Sequence, residues 1–395
     1  MENVFPNPFK GLMQLLGIVL LVAGLGAAVY LFDFWMFLHS PGQSDRALRQ
    51  VLIRPGMGAA GIAQSLKTEG VIADARKFYW LCLLQGAGGK LRAGEYAFLP
   101  LSTPRQVLDR LIRGDVIQRH VTFPEGSTVR TVARTLADAG LASEYQILRL
   151  AADESYVRSL GIEAKNVEGY LFPETYNFQR TQNEAALLET MTKEFRNRFS
   201  FAWQERAREL GFSVHEIVTL ASLVEKEARV DVERPVIAAV FHNRLKRRMP
   251  LQSDPTAVYD IPEFSGPVTH DHLQRASAYN TYQITGLPPG PICNPGTRSI
   301  QAVLYPADVP YVYFVSKADG THQFSTTLTE HNTAVRNYRR KLREQVKSGA
   351  LSGPEPPPAA EPSQGEPSPG ENSAASIPVP SMNGSAGEGA TTGKP

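Results

Sequence analysis

The sequence predicts an α+β protein with an apolar helix at its N-terminus, a small α/β module, a larger mixed α/β domain and a disordered tail. Three observations carry that expectation. From Gly11 to Phe32 there is no charged residue, a run long enough to cross a bilayer as one helix. Short strand-like runs then alternate with capped helical segments, the mark of mixed secondary structure rather than a single repeating class. After residue 348 the chain turns to Pro, Gly, Ser, Ala and Glu with almost no large apolar side chain, so it cannot bury a core. The expected boundaries are an N-terminus over 1–10, an anchor with its interface over 11–38, a module over 42–122, a domain over 123–348 and a tail over 349–395.

Composition excludes some classes at once. A chain of 395 residues with 42% hydrophobic and 20% charged residues is an ordinary folded protein of two or three units. Its formal net charge of +2 gives no electrostatic footprint for nucleic acid. The apolar N-terminal run exceeds the 7–15 or so residues of a signal-peptide core, which favours an uncleaved anchor. Aromatic residues from Tyr30 to Phe37 suit its outer interface. Long domains translocate largely regardless of flanking charge, so everything beyond residue 40 is expected outside the cytoplasm. Cys82 and Cys293 are the two cysteines; a disulfide is open to them in an oxidising compartment, and burial as core thiols is the plainer expectation.

A glycine turn and helix occur twice, once in the module and once at the start of the larger domain. Gly56, Ile62, Ala63, Leu66 and Gly70 recur as Gly126, Val132, Ala133, Leu136 and Gly140, which reads as a glycine turn feeding a short helix that a second glycine closes. Between the copies, Asp74 is placed to cap a helix ending at Gly86, and Gly94 to Phe98 reads as a strand. Thr103 and Pro104 open a helix that ends at Gly114, and a strand is expected from Val116 to Phe123. The strand-helix-helix-strand order from Val51 to Phe98 resembles the peptidoglycan-binding LysM module.

The chemistry-bearing segment is Val224 to Val230. Ser213 with Glu216 makes a capping box, and Ile217, Leu220, Ala221, Leu223, Val224 and Ala228 lie on the side of the following helix that meets the core. On that wheel Glu227 falls about 60° from the apolar centre and Glu225 about 100° away on the other flank. Arg229 at i+4 offers Glu225 a surface partner. Glu227 has no basic neighbour at i±3 or i±4, and its i+4 residue is Asp231. A carboxyl near apolar side chains and a second acid keeps its proton to higher pH, as a general acid must. Glu227 is therefore the expected catalytic residue and Glu225 the second choice.

Four further motifs accompany that helix: Glu168 to Tyr176 (EGYLFPETY), Leu251 to Thr256 (LQSDPT), Ala278 to Tyr282 (AYNTY) and Gly286 to Gly296 (GLPPGPICNPG). With LASLVEKEA they occur in an order that resembles the endolytic murein transglycosylases of the MltG (YceG-like) type, over about Gly42 to Lys341. The resemblance implies one catalytic glutamate, mapped to Glu227, with Ala228 standing where a Ser or Thr occurs elsewhere. That departure keeps Glu225 in play. It also implies an N-terminal anchor in the cytoplasmic (inner) membrane, a LysM-like module, peptidoglycan glycan strands as substrate and cell-wall synthases as neighbours. Glu174, Gln252, Ser253, Asp254, Tyr279, Asn280 and Thr281 are the expected glycan-binding residues, with Tyr170, Phe172 and Tyr176 as stacking platforms. The chemistry expected is cleavage between MurNAc and GlcNAc with closure of a 1,6-anhydro ring. Two other readings remain at this point. Glu174 or Asp254 would be the second carboxylate of a muramidase, or the chain is a tethered peptidoglycan-binding protein without catalysis. No cofactor is expected, and the histidines show no zinc-ligand spacing.

Overall fold

In the computed structural model, residues 8–42, 48–317 and 319–347 are described; the expected tail lies outside them, as do residues 1–7. Helix α1 (Pro8–His39) is exposed along its apolar run and ends on aromatic residues. Phe37 at that end is buried, with Phe34 and Leu38 against the same core.

That core belongs to the first α/β module. Strand β1 (Arg49–Ile53) pairs antiparallel with β2 (Gly94–Phe98), and α2 (Ala59–Thr68) and α3 (Ala75–Leu84) lie between them in the chain. Asp74 caps α3 by accepting from the Arg76 and Lys77 amides. Helix α4 (Pro104–Arg113) starts on a Thr103–Gln106 capping box with Pro104 in its first turn, and ends on Gly114 in the left-handed region. These local signals act where the sequence places them.

The larger core is built around a second sheet, β3 (Arg119–Thr122) against β4 (Thr175–Phe178), also antiparallel. The strand expected from Val116 is shorter than that, because β4 offers only four residues to pair with. Val121 and Phe123, on either side of the expected divide at 122, both pack into the larger core. Helix α5 (Val129–Asp138) carries the second copy of the glycine turn. Gly56 and Gly126 have φ of 82° and 78°, a conformation that a side chain disfavours, and Ile62, Ala63, Leu66, Val132, Ala133 and Leu136 are all buried.

Short helices α6 (Glu144–Ala151) and α7 (Glu154–Ser159) precede β4, and α8 (Glu184–Arg198) and α9 (Phe201–Glu209) follow it. Helix α10 (Val214–Glu227) runs through the core with eight consecutive buried residues, Ile217 to Val224. Around it come α11 (Arg234–Lys246), α12 (Asp254–Val258), α13 (His270–Gln274) and α14 (Thr297–Leu304). A third antiparallel pair, β5 (Tyr313–Ser316) with β6 (His322–Ser325), and helix α15 (Leu328–Lys347) complete the described chain.

The two cores are joined through Glu95. Its carboxylate, 4% exposed, takes Arg119 on one oxygen at 2.9 Å and Arg180 on the other at 3.1 Å. Burial alone would push this carboxyl up; the two guanidiniums hold it below the usual range.

Candidate active site

Helix α10 is fixed at its start by the Ser213–Glu216 capping box. Along its length, His215 reaches two motif segments at once, with Nδ1 3.0 Å from the Tyr170 hydroxyl and Nε2 3.0 Å from the Pro289 carbonyl. About two turns on, the Ser222 hydroxyl accepts from the Ile292 amide at 3.0 Å. Gly169 sits so close that a Cβ there would lie 2.5 Å from Pro291 and 2.8 Å from Val218. No side chain fits at that crossing, where the EGYLFPETY turn, the Pro/Gly loop and α10 are pressed together.

Asn294 ties the same pieces from the other side. Its Oδ1 accepts from the Gly169 and Leu171 amides, both at 2.9 Å, while its Nδ2 donates to the Ser127 carbonyl at 2.8 Å. Glu168 completes the knot, accepting from the Val129 amide and the Tyr259 hydroxyl at 3.0 Å each. Its burial pushes the carboxyl up to about 7.

The end of α10 presents two glutamates to different environments. Glu225 is buried in an ion pair with Arg234 at 3.0 Å, its side chain 6% exposed and that of Arg234 9%. Its second oxygen accepts from the Gly296 amide at 2.9 Å, at the start of α14. The surface pairing with Arg229 expected from helical spacing is therefore replaced. Ala228 leaves the helical region (ψ 121°), so the i+4 relation is broken and Arg234, nine residues on, takes the carboxylate. Lys226 points outward as the wheel expects and donates to the Gly126 carbonyl at 2.8 Å.

Glu227 is the last residue of α10, and no cation binds it directly among the described residues. The Ser253 hydroxyl donates to its Oε1 at 2.6 Å. Burial pushes its carboxyl up to about 7; the Ser253 hydrogen bond opposes that, the Asp254 carboxylate adds to it and the Arg244 guanidinium opposes it. The negative end of the helix dipole acts in the raising direction too. A carboxyl poised near neutrality can give up a proton and take one back.

The residues around Glu227 are held by buried hydroxyl contacts. Thr281 Oγ1 accepts from the Ser253 amide at 2.9 Å and meets Thr256 Oγ1 at 2.8 Å, and the Thr281 carbonyl accepts from the Gln252 amide. Gln252 itself sits at φ 51°, a costly position for a residue with a side chain. Asp254, exposed, accepts from the Tyr282 hydroxyl at 2.5 Å. Arg244 is 5% exposed and donates to the carbonyls of Val312, Pro250 and Leu251 and to Gln252 Oε1.

Of the expected site residues, Ser253 and Asp254 adjoin Glu227, and Gln252 and Thr281 frame Ser253. Asn280 is fully buried, its amide donating to the carbonyls of His272, Leu273 and Arg275. It shapes the loop and has no surface to offer a glycan. Tyr279 is half-buried against Tyr259, rings 4.8 Å apart. Glu174 is exposed and paired with Arg198 on α8 at 3.1 Å.

The expected stacking platforms are corrected. Tyr170 and Phe172 are each 4% exposed and Tyr176 7%. Tyr170 packs edge-on to Phe195, Arg198 lies over Phe172, and Tyr176 is stacked on Phe178. Rings enclosed in this way are core and have no face free for a sugar.

Tyr282 and Arg244 are the neighbours of Glu227 that helical periodicity missed. Tyr282 stood in a quoted motif; Arg244 carried no signal, since an arginine at a helix C-terminus ordinarily reads as solvated. Both cysteines are buried and unpaired, with Cys82 in the first core and Cys293 donating to the Ser222 carbonyl at 3.4 Å.

Comparison with known proteins adds independent findings. The family model described as YceG-like matches residues 51–337. An endolytic murein transglycosylase of Bacillus subtilis (strain 168) is 33% identical over 324 residues, covering 78% of this chain and 89% of that protein. One from Streptococcus pneumoniae (strain ATCC BAA-255 / R6) is 26% identical over 281 residues, 63% of this chain and 51% of that one. The 2.6 Å crystal structure of a YceG-like protein from Listeria monocytogenes aligns with a TM-score of 0.51 at 31% identity, covering 73% of this chain and 99% of the other.

Proposed function

This chain belongs to the YceG-like family, and from that premise we propose that Glu227 is the single acid and base of an endolytic murein transglycosylase. The enzyme cleaves within peptidoglycan glycan strands as a lytic transglycosylase. The observation that supports the residue assignment is the contrast at the end of α10. Glu225 is committed to Arg234 and Gly296, whereas Glu227 has no direct cation contact among the described residues, is held by Ser253, and carries a proton to about pH 7.

Protonated Glu227 donates to the glycosidic oxygen between MurNAc and GlcNAc, and the C1–O bond breaks with positive charge developing at C1. The resulting carboxylate then takes the proton from the MurNAc C6 hydroxyl, whose oxygen attacks C1 and closes the 1,6-anhydro ring. Glu227 ends protonated, and no water is consumed. Because the nucleophile belongs to the substrate, one carboxyl suffices; the protein positions the sugar and supplies charge. Asp254 places a carboxylate beside Glu227, and the Tyr282 hydroxyl orients it. Ser253 supplies the hydroxyl that Ala228 lacks. Gln252 and Tyr279 are the remaining polar and aromatic groups available to glycan from these loops.

The module β1-α2-α3-β2 has the strand-helix-helix-strand order of a LysM-like glycan-binding unit, and in this reading it holds the strand while Glu227 cuts. Helix α1, with a span of Leu12–His39 long and apolar enough to cross a membrane, anchors the chain in the cytoplasmic membrane with both cores on its outer side. There the enzyme ends the growth of nascent strands beside the cell-wall synthases. The test is mass spectrometry of purified glycan after digestion. Anhydro-MurNAc ends are expected. Reducing MurNAc ends would mean that Asp254 works as a second carboxylate in a muramidase, and no cleavage at all would leave only a binding role.

A further inference from the structure

Helix α3 is apolar on two nearly opposite sides. Phe78, Leu81 and Cys82 face the core of the first module and are 4% exposed or less. Trp80, Leu83 and Leu84 fall within about 100° on the other side, and they are 52%, 45% and 72% exposed. A helix apolar on two opposite sides ordinarily has both of them covered. Position along the chain indicates the cover. Lys77 lies in the same column of α3 as Trp80 and Leu84, and its ammonium meets Asp33 of α1 at 2.6 Å. It also sits 5.8 Å from the ring of Phe37, which is itself buried in the module. Asp33 is the first charged residue after the uncharged run that ends at Phe32. The exposed column of α3 thus begins at the level where the apolar run gives way to charge.

We propose that the outer face of α3 docks on the lipid bilayer, with Trp80, Leu83 and Leu84 entering the headgroup and upper acyl region beside α1. Charge supports lipid as the occupant. Residues 48–118 hold ten Lys and Arg against five Asp and Glu, an excess that suits anionic headgroups. Tryptophan favours this interface because its ring is apolar and its N–H polar. The anchor helix therefore does not hold the module on a slack tether; it holds α3 flat against the lipid that α1 enters. The proposal rests on the reading of α1 as a membrane span.

The experiment uses the full chain in phosphatidylethanolamine and phosphatidylglycerol vesicles, with and without bromine on the upper acyl chains. One variant, Trp35→Phe with Trp203→Phe, leaves Trp80 as the reporter. The other, Trp80→Phe with Trp203→Phe, leaves Trp35 on α1. Bromolipid should lower both emissions about twofold or more, as expected for rings at the interface. If Trp35 is quenched and Trp80 is not, the docking proposal is overturned while the anchor stands. If neither is quenched, the anchor reading falls and takes the proposal with it. If Trp80 is shielded from aqueous iodide yet unaffected by bromolipid, a protein surface covers α3 and the proposal is overturned.

Discussion

Glu225 and Glu227 leave one helix end two residues apart, and their partners give them opposite work. Glu227→Gln keeps the shape and removes the proton, so turnover should drop by about a hundredfold or more with little change in melting temperature. Glu225→Gln should do the reverse. Removing one charge of a buried pair leaves Arg234 undercompensated, at a cost of about 3 kcal/mol in denaturant unfolding, with activity per folded molecule largely retained. Comparable losses of turnover in both variants would defeat the assignment. Ser253→Ala gives a signed test. The Ser253 hydroxyl stabilises the Glu227 carboxylate and holds its pKa down, so its loss should move the alkaline limb of the kcat/KM profile to higher pH. Helical spacing identified the glutamate pair but gave Glu225 the wrong partner, because Arg234 is brought in by a break after the helix. The hydroxyl of Ser253 was legible only as a motif member, since a contact between a helix end and a distant loop leaves no periodic trace.

Among the elements, those with local signals were the legible ones. The Asp74 cap, the Thr103 and Ser213 capping boxes and the paired glycine turns act within a few residues of chain. The interlock of the EGYLFPETY turn, the Pro/Gly loop and α10 depends on residues far apart in sequence, so the aromatic rings of the first could be read as sugar platforms when they are packing. Glu168 at the centre of that interlock makes its stability pH-dependent. Burial raises its carboxyl from the usual glutamate range to about 7 in the native state. Between those pH values the folded chain binds a proton that the unfolded chain has lost, so stability falls as pH rises through the window. The contribution is up to about 3 kcal/mol at 1.36 kcal/mol per pKa unit. Glu168→Gln cannot ionise and should flatten the slope of unfolding free energy against pH between about 4.5 and 7, the interval set by those two pKa values. An unchanged slope would show that Glu168 does not carry the effect.

At the scale of the whole molecule, the sequence leads one to expect an anchor, a module ending at 122 and a larger domain, and β3, just before that expected divide, packs with the larger core. Pairing with β4, rather than any feature of the strand itself, assigns β3 to the larger core. What the sequence left invisible was how the pieces are fastened. Phe37 sinks the end of α1 into the first core, and Glu95, gripped by Arg119 and Arg180, fastens that core to the next. Glu95→Ala removes both ion pairs at once. It should leave each core folded, as two calorimetric transitions would show, while strands released by the membrane-bound enzyme spread over a wider range of lengths. An unaltered length distribution would count against this role. On the proposed reading of α1 as a membrane span, Glu95 would give the chain the character of a gauge: the height of Glu227 above the bilayer would be set by a stack of fastened parts, and the length at which a strand is cut would become a dimension of the fold.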